Sequence, residues 1–94
     1  MAIKGFRDAR LQEVFERRLP KGFPADLAHV VRRKLLMLDA AGTLNDLRVP
    51  PANRLEALKG DRDGQDSIRV NDQFRLCFQW TDEGPIDVEF TDYH

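Results

Sequence analysis

Asp92, Tyr93 and His94 follow the alternating stretch "VEFT", and upstream stand Arg69, Asn71, Gln73 and Arg75 within "IRVNDQFR". These residue types, brought together, could handle a phosphodiester. Two arginines supply charge and bidentate contacts to phosphate oxygens. Asn71 and Gln73 supply neutral donors. An imidazole with an unperturbed pKa near ~6.5 can give or take a proton at neutral pH. RNA strand scission needs these parts: a group to take the 2′-hydroxyl proton, a group to protonate the leaving oxygen, and cations to meet the charge of the phosphorane.

Whether they meet depends on strands. After Asp63–Gly64, a turn signal, the period of the sequence is two. Ile68 and Val70 alternate with Ser67, Arg69 and Asn71. Beyond a tight connection at Asn71–Asp72, Phe74, Leu76, Phe78 and Trp80 share one face, with Gln73, Arg75, Cys77 and Gln79 on the other. After "TDEGP", Ile86, Val88 and Phe90 alternate with Asp87, Glu89 and Thr91. Parity puts Arg69, Asn71, Gln73 and Arg75 on one polar face, joined by Asp87, Glu89, Thr91 and Tyr93 if the last strand lies beside the second. Strict alternation sends Asp92 and His94 to the apolar side, which is costly for a carboxylate. Either the strand bends there or these residues clear the end of the core.

The apolar face needs cover, and two helices are available. Leu11, Val14, Phe15 and Leu19 recur at helical spacing between Arg7 and Leu19, before Pro20 and Gly22. A second helix starts near Pro24, carries the stripe Leu27, Val30, Val31, Leu35 and Leu38, and stops at Gly42. Arg32, Arg33 and Lys34 read as a solvated helix face that an acidic partner could use. "MAIKGF" fits a short strand or an extended lead-in, and "NRLEALKG" a helical turn or a strand. The order predicts an α+β fold: two N-terminal helices on one face of a small antiparallel sheet, with the polar face open.

Plainer readings stand beside these. Arg69 and Arg75 could pair across strands with Asp66, Asp87 or Glu89. Tyr93 could be a half-buried anchor and His94 a solvated end. Cys77 reads as a small buried or edge residue, and His29 as a surface one.

Ninety-four residues, 41% hydrophobic and 33% charged, fit a single globular domain over residues 1–94. No apolar run reaches membrane-span length, and the N-terminal residues lack an apolar signal core, so a cytoplasmic protein is expected. With one cysteine and two distant histidines, neither a disulfide nor a metal site is expected, and no cofactor. Net charge is −1, yet residues 1–40 hold nine Lys/Arg against five Asp/Glu, while 81–94 hold five acids and no Lys or Arg. A local basic surface can therefore exist on a nearly neutral molecule.

The segments "LKGDRDGQDSIRVNDQFRLCF" and the closing "DYH" together resemble the HigB branch of the RelE/ParE toxin superfamily, over nearly the whole chain. The resemblance implies a metal-independent, ribosome-dependent endoribonuclease acting on translated mRNA at the 70S ribosome. It implies a helix-turn-helix antitoxin (HigA-like) as partner and operator DNA bound through the toxin–antitoxin complex. Asp92, Tyr93 and His94 match the family's catalytic cluster; Arg69, Asn71 and Arg75 match its RNA-contacting strand positions; Lys59 matches a basic position of "LKG". Glu56 stands where some members have histidine, so it either replaces that residue as base or leaves more of the work to His94. Two other outcomes remain within the same superfamily: a ParE-like toxin that inhibits DNA gyrase by binding, and an antitoxin-docking or DNA-binding module without catalysis.

Overall fold

The computed structural model describes residues 2–92. Helix α1 spans Ala9–Phe15 and α2 spans Ala25–Ala40. Strands β1 (Glu56–Ala57), β2 (Asp66–Arg69), β3 (Phe74–Thr81) and β4 (Gly84–Asp92) form one antiparallel sheet in the order β1-β2-β3-β4. The expected α+β architecture is the observed one. The segment 54–59 resolves into a two-residue edge strand, and the lead-in is extended beside β4, with Arg7 N–H donating to the Val88 carbonyl at 3.0 Å. Among the described residues no helix is long and apolar enough to cross a membrane.

The core lies between the helices and one sheet face. Leu11, Val31, Leu35 and Leu38 from the helices meet Ile68, Leu76, Phe78 and Val88 from the strands, all fully buried. Phe74 stacks on Phe90 with centroids 4.5 Å apart, and Phe23 closes on Phe90 at 5.0 Å. The period-two and helical stripes of the sequence thus find each other.

Three details depart from the sequence reading. First, α1 ends at Phe15, four residues before Leu19. Arg17 adopts the left-handed conformation (φ 65°), and Arg18 N–H donates to the Glu13 carbonyl at 2.8 Å while Arg17 N–H donates to that of Val14 at 3.0 Å. This is a Schellman stop with arginine where glycine is usual. Leu19, past the stop, is 57% exposed.

Second, a β-bulge separates the two halves of the β3–β4 ladder. Cys77 pairs with Glu89 but Gln79 pairs with Ile86, so Asp87 and Val88 together face Phe78. Asp87 carries the positive φ, 54°. The extra residue flips parity, so Pro85, not Ile86, shares the apolar face with Val88. Ile86 falls on the polar side, opposite Gln79.

Third, Lys34 is buried, 7% exposed, although the helix face it belongs to looks solvated in sequence. Its Nζ donates to Asn53 Oδ1 at 2.5 Å, and Asn53 Nδ2 donates to the Leu47 carbonyl at 3.1 Å. Burial pushes the Lys34 pKa down, helped by the nearby positive charges of Arg33 and Arg69. Asn53 sits in the 3₁₀ turn Pro51–Asn53 that follows the longer turn Leu44–Arg48. The amide thereby fastens this connection to α2.

The turn Leu44–Arg48 is opened by a capping box, in which Asp46 accepts from the Thr43 and Gly42 N–H groups at 3.0 and 2.9 Å. Those donors, Thr43 first, hold the Asp46 carboxyl below its ordinary value. A depressed folded-state pKa contributes stability that is present above the unfolded value, about 3.9, and lost as pH falls through the folded one. Asp46→Asn is therefore expected to flatten the acid limb of the stability profile below about pH 4. Denaturant titrations at stepped pH check this; an unchanged slope would reject it.

Candidate functional site

The sheet register assembles the polar face row by row. Arg69 stands directly opposite Arg75, which stands opposite Thr91. In the neighbouring row Glu56 faces Ser67, Ser67 faces Cys77, and Cys77 faces Glu89. Diagonal neighbours across adjacent strands lie about 7–8 Å apart, which brings the Glu56 carboxylate beside Arg69. A depression of about 310 Å³ opens at this place, lined by Arg54, Glu56, Arg69, Asn71, Asp72 and Arg75. Four of the six residues are ones the sequence singled out. Three arginines face two carboxylates there, so the cleft has room for an added anion.

Arg54 is the residue missed. It sits at the end of the Pro51–Asn53 turn in the left-handed conformation (φ 46°). The stretch around it has no clear period, so nothing in the sequence assigns it a face. Its position next to Asn53 is the one signal that could have found it, and only once Asn53 is known to be anchored.

The two strand arginines differ more than parity suggests. Arg75 is 7% exposed rather than open. Its Nε donates to Ser67 Oγ at 2.7 Å, and a terminal nitrogen donates to the Arg54 carbonyl at 2.6 Å. The polar face is not uncovered either. Arg62, from the turn after β1, reaches across it to Glu89 at 3.0 Å, and Ser67 and Cys77 on that face are buried. Arg75 is therefore a clamp between β2 and the Arg54 turn, with its charge at the back of the depression. Arg69 pairs with Asp72, whose side chain is 98% exposed. That partner is solvated and easily exchanged for a phosphate. The bonds shown for the two arginines run to Asp72 from Arg69, and to Ser67 and the Arg54 carbonyl from Arg75.

Asn71 forms the connection between β2 and β3 itself. Its Oδ1 accepts from the N–H groups of Gln73 and Phe74 at 2.9 and 2.7 Å, an Asx turn. With its oxygen held this way, the side-chain amide can offer only its N–H donors to a ligand. Asp92 pairs with Phe74 in the ladder, as parity requires, yet is exposed and accepts from Gln73 Nε2 at 3.1 Å. It clears the end of the core, one of the two escapes open to it. Thr91 Oγ1 is buried and finds no hydrogen-bond partner among the described residues. Lys59 borders a separate depression of about 300 Å³ that it shares with Glu56, Ala57 and Leu58. Tyr93 and His94 lie outside the described residues. Among the described residues no cluster of His, Cys, Asp and Glu is placed to hold a metal ion.

Comparison with known proteins gives a consistent picture. The profile of a family described as the RelE-like toxin of type II toxin–antitoxin system HigB matches residues 4–94. The toxin HigB-1 of Vibrio cholerae serotype O1 is 45% identical over 83 residues, 87% of this chain and 86% of that protein. The endoribonuclease HigB of Proteus vulgaris is 32% identical over 92 residues, 98% of this chain and 99% of that protein.

Proposed function

Because the chain belongs to the HigB-like toxins of the RelE family, from type II toxin–antitoxin systems, we propose that it is an endoribonuclease that cuts mRNA on the translating ribosome. A toxin of this type has a cognate antitoxin, here proposed as a helix-turn-helix protein that neutralises it and carries it to operator DNA, in the cytoplasm. The observation that carries the reading is the depression joining Arg54, Glu56, Arg69 and Arg75 at the end of the sheet to which β4 delivers Asp92.

The reaction assigned to this place is transesterification. The 2′-oxygen attacks the adjacent phosphorus as its proton passes to a base. The P–O5′ bond then breaks, and the departing oxygen takes a proton from an acid. The products are a 2′,3′-cyclic phosphate and a 5′-hydroxyl. Arg69, paired with solvated Asp72, meets the phosphorane charge from the front, and Arg75 adds its field from behind. His94 shares proton transfer with Glu56 or Asp92, and Tyr93 positions the nucleotide. Asn71, through its N–H donors, and Lys59 hold the strand on either side.

Purified protein incubated with programmed ribosomes and mRNA, beside a gyrase supercoiling assay, tests this. Cleavage within the mRNA with gyrase unaffected is expected, along with loss of cleavage in a Tyr93→Ala, His94→Ala double variant. Cleavage that survives the double variant would overturn the assignment of the site. No cleavage together with gyrase poisoning would overturn the enzymatic reading.

A further inference from the structure

Arg54 lines the depression beside Arg69, yet the reaction described above gives it no task. Its backbone is pinned. Asn53, the residue before it, is fully buried and anchored through its amide to Lys34 on α2 and to the Leu47 carbonyl. The Arg54 N–H donates to the Pro51 carbonyl at 3.0 Å, and the Arg54 carbonyl accepts from Arg75 at 2.6 Å. The helix layer thus holds this residue from one side and β3 from the other. Its side chain is a different matter: it is exposed, and among the described residues it joins no ion pair.

We propose that Arg54 contacts the RNA directly, holding a phosphate next to the one that reacts. The proposal rests on the nuclease reading above. Arg75 is buried and spends its donors on Ser67 and the Arg54 carbonyl, while Arg69 is the arginine facing the reacting phosphate. A single-stranded message carries a charge at every nucleotide, so the neighbouring phosphate needs a cation of its own. Arg54 is the remaining guanidinium in the lining, and it stands on the turn rather than on the sheet. Its planar fork can take two phosphate oxygens together. With the main chain already fixed, only the side chain has to be ordered on binding.

The left-handed backbone (φ 46°) does not carry the proposal, since Arg17 shares that conformation away from the cleft. What sets Arg54 apart is a fixed backbone, an exposed cation and a place in the lining, all at one residue. An exposed arginine can also stack on a base. That use draws on the face of the guanidinium and leaves salt dependence alone, whereas a phosphate contact releases counterions.

Ribosomes programmed with mRNA carrying deoxyribose in and around the decoding site provide the test, because that message can be bound but not cut. Arg54→Ala should bind them about tenfold more weakly, with a salt slope shallower by about 0.7. Arg54→Lys should recover part of the affinity. Arg54→Gly suits the left-handed backbone, so it should melt like the parent and still bind as weakly as the alanine variant. On native message, Arg54→Ala should raise the half-maximal concentration for cleavage more than it lowers the saturating single-turnover rate. Binding by Arg54→Ala within about twofold of the parent would overturn the proposal. Weaker binding with an unchanged salt slope would also overturn it, in favour of stacking, as would an equal loss on ribosomes without message, in favour of ribosomal RNA. A parent that binds the deoxyribose message but leaves native mRNA intact would sink the nuclease reading and not the contact.

Discussion

Ribosome-programmed cleavage by Arg69→Ala is expected to fall by about 10²–10³ fold, with the fold almost as stable as the parent. The reason is the division of labour between the two arginines of the polar face. Among the described residues Arg69 makes one ion pair, with Asp72, whose side chain is almost wholly in water. Surface pairs of that kind contribute about 0–1 kcal/mol, so little stability goes with the side chain. Of the two strand arginines it is the more exposed, so on the proposed reading it is the one placed to meet the phosphorane. Arg69→Lys should recover only part of the rate, since a point charge lacks the planar fork. Arg75→Ala is a poorer probe: it would also unlatch Ser67 and the Arg54 carbonyl from β3. Single-turnover cleavage on programmed ribosomes, with thermal unfolding measured alongside, decides the matter. A rate within about threefold of the parent would remove Arg69 from the mechanism.

Asn53→Ala is expected to cost about 2–4 kcal/mol, because it strands two buried groups at once, the Leu47 carbonyl and the Lys34 ammonium. For a domain of this size that is a fall in Tm of roughly 10–25 °C. The effect should also depend on pH in a specific direction. Burial lowers the folded-state pKa of Lys34, so folding is penalised while the amine is charged, and the penalty lifts as pH rises through that lowered value towards the unfolded one, about 10.4. Removing the Asn53 oxygen lowers the folded value further. The gap between variant and parent should therefore be widest at neutral pH and narrow in alkali. Denaturant unfolding at stepped pH reads this directly; a gap that stays constant up to about pH 10.5 would mean that Lys34 is not charged in the fold.

Much of this molecule is legible in its residues, and the illegible parts share a cause. The alternation of Phe74, Leu76 and Phe78 and the stripe Val31, Leu35 and Leu38 locate the core because each repeats with the period of its own element. Parity alone puts Arg69 and Arg75 on one face and anticipates that Asp92 must leave the core side. What escapes is whatever depends on a neighbour distant in sequence. Arg75 looks open until the Arg54 carbonyl is seen to take its guanidinium. Lys34 looks solvated until Asn53 arrives beneath it. Ile86 changes face because of one bulge residue, and Leu19 leaves its helix because an arginine takes a conformation that glycine usually marks. Arg54 is invisible for the same reason: its place is set by the anchored turn before it.

The Arg69–Arg75 rung has a consequence of another kind. Two guanidinium-bearing residues directly opposite on adjacent strands are a conflict that a sequence selected only for folding would resolve, for instance with one residue of opposite charge. Local frustration of this sort marks a position where the landscape has been shaped by something outside the chain. On the proposed nuclease reading, an incoming phosphate would join that rung. Polyanions that never react should then still tighten the fold.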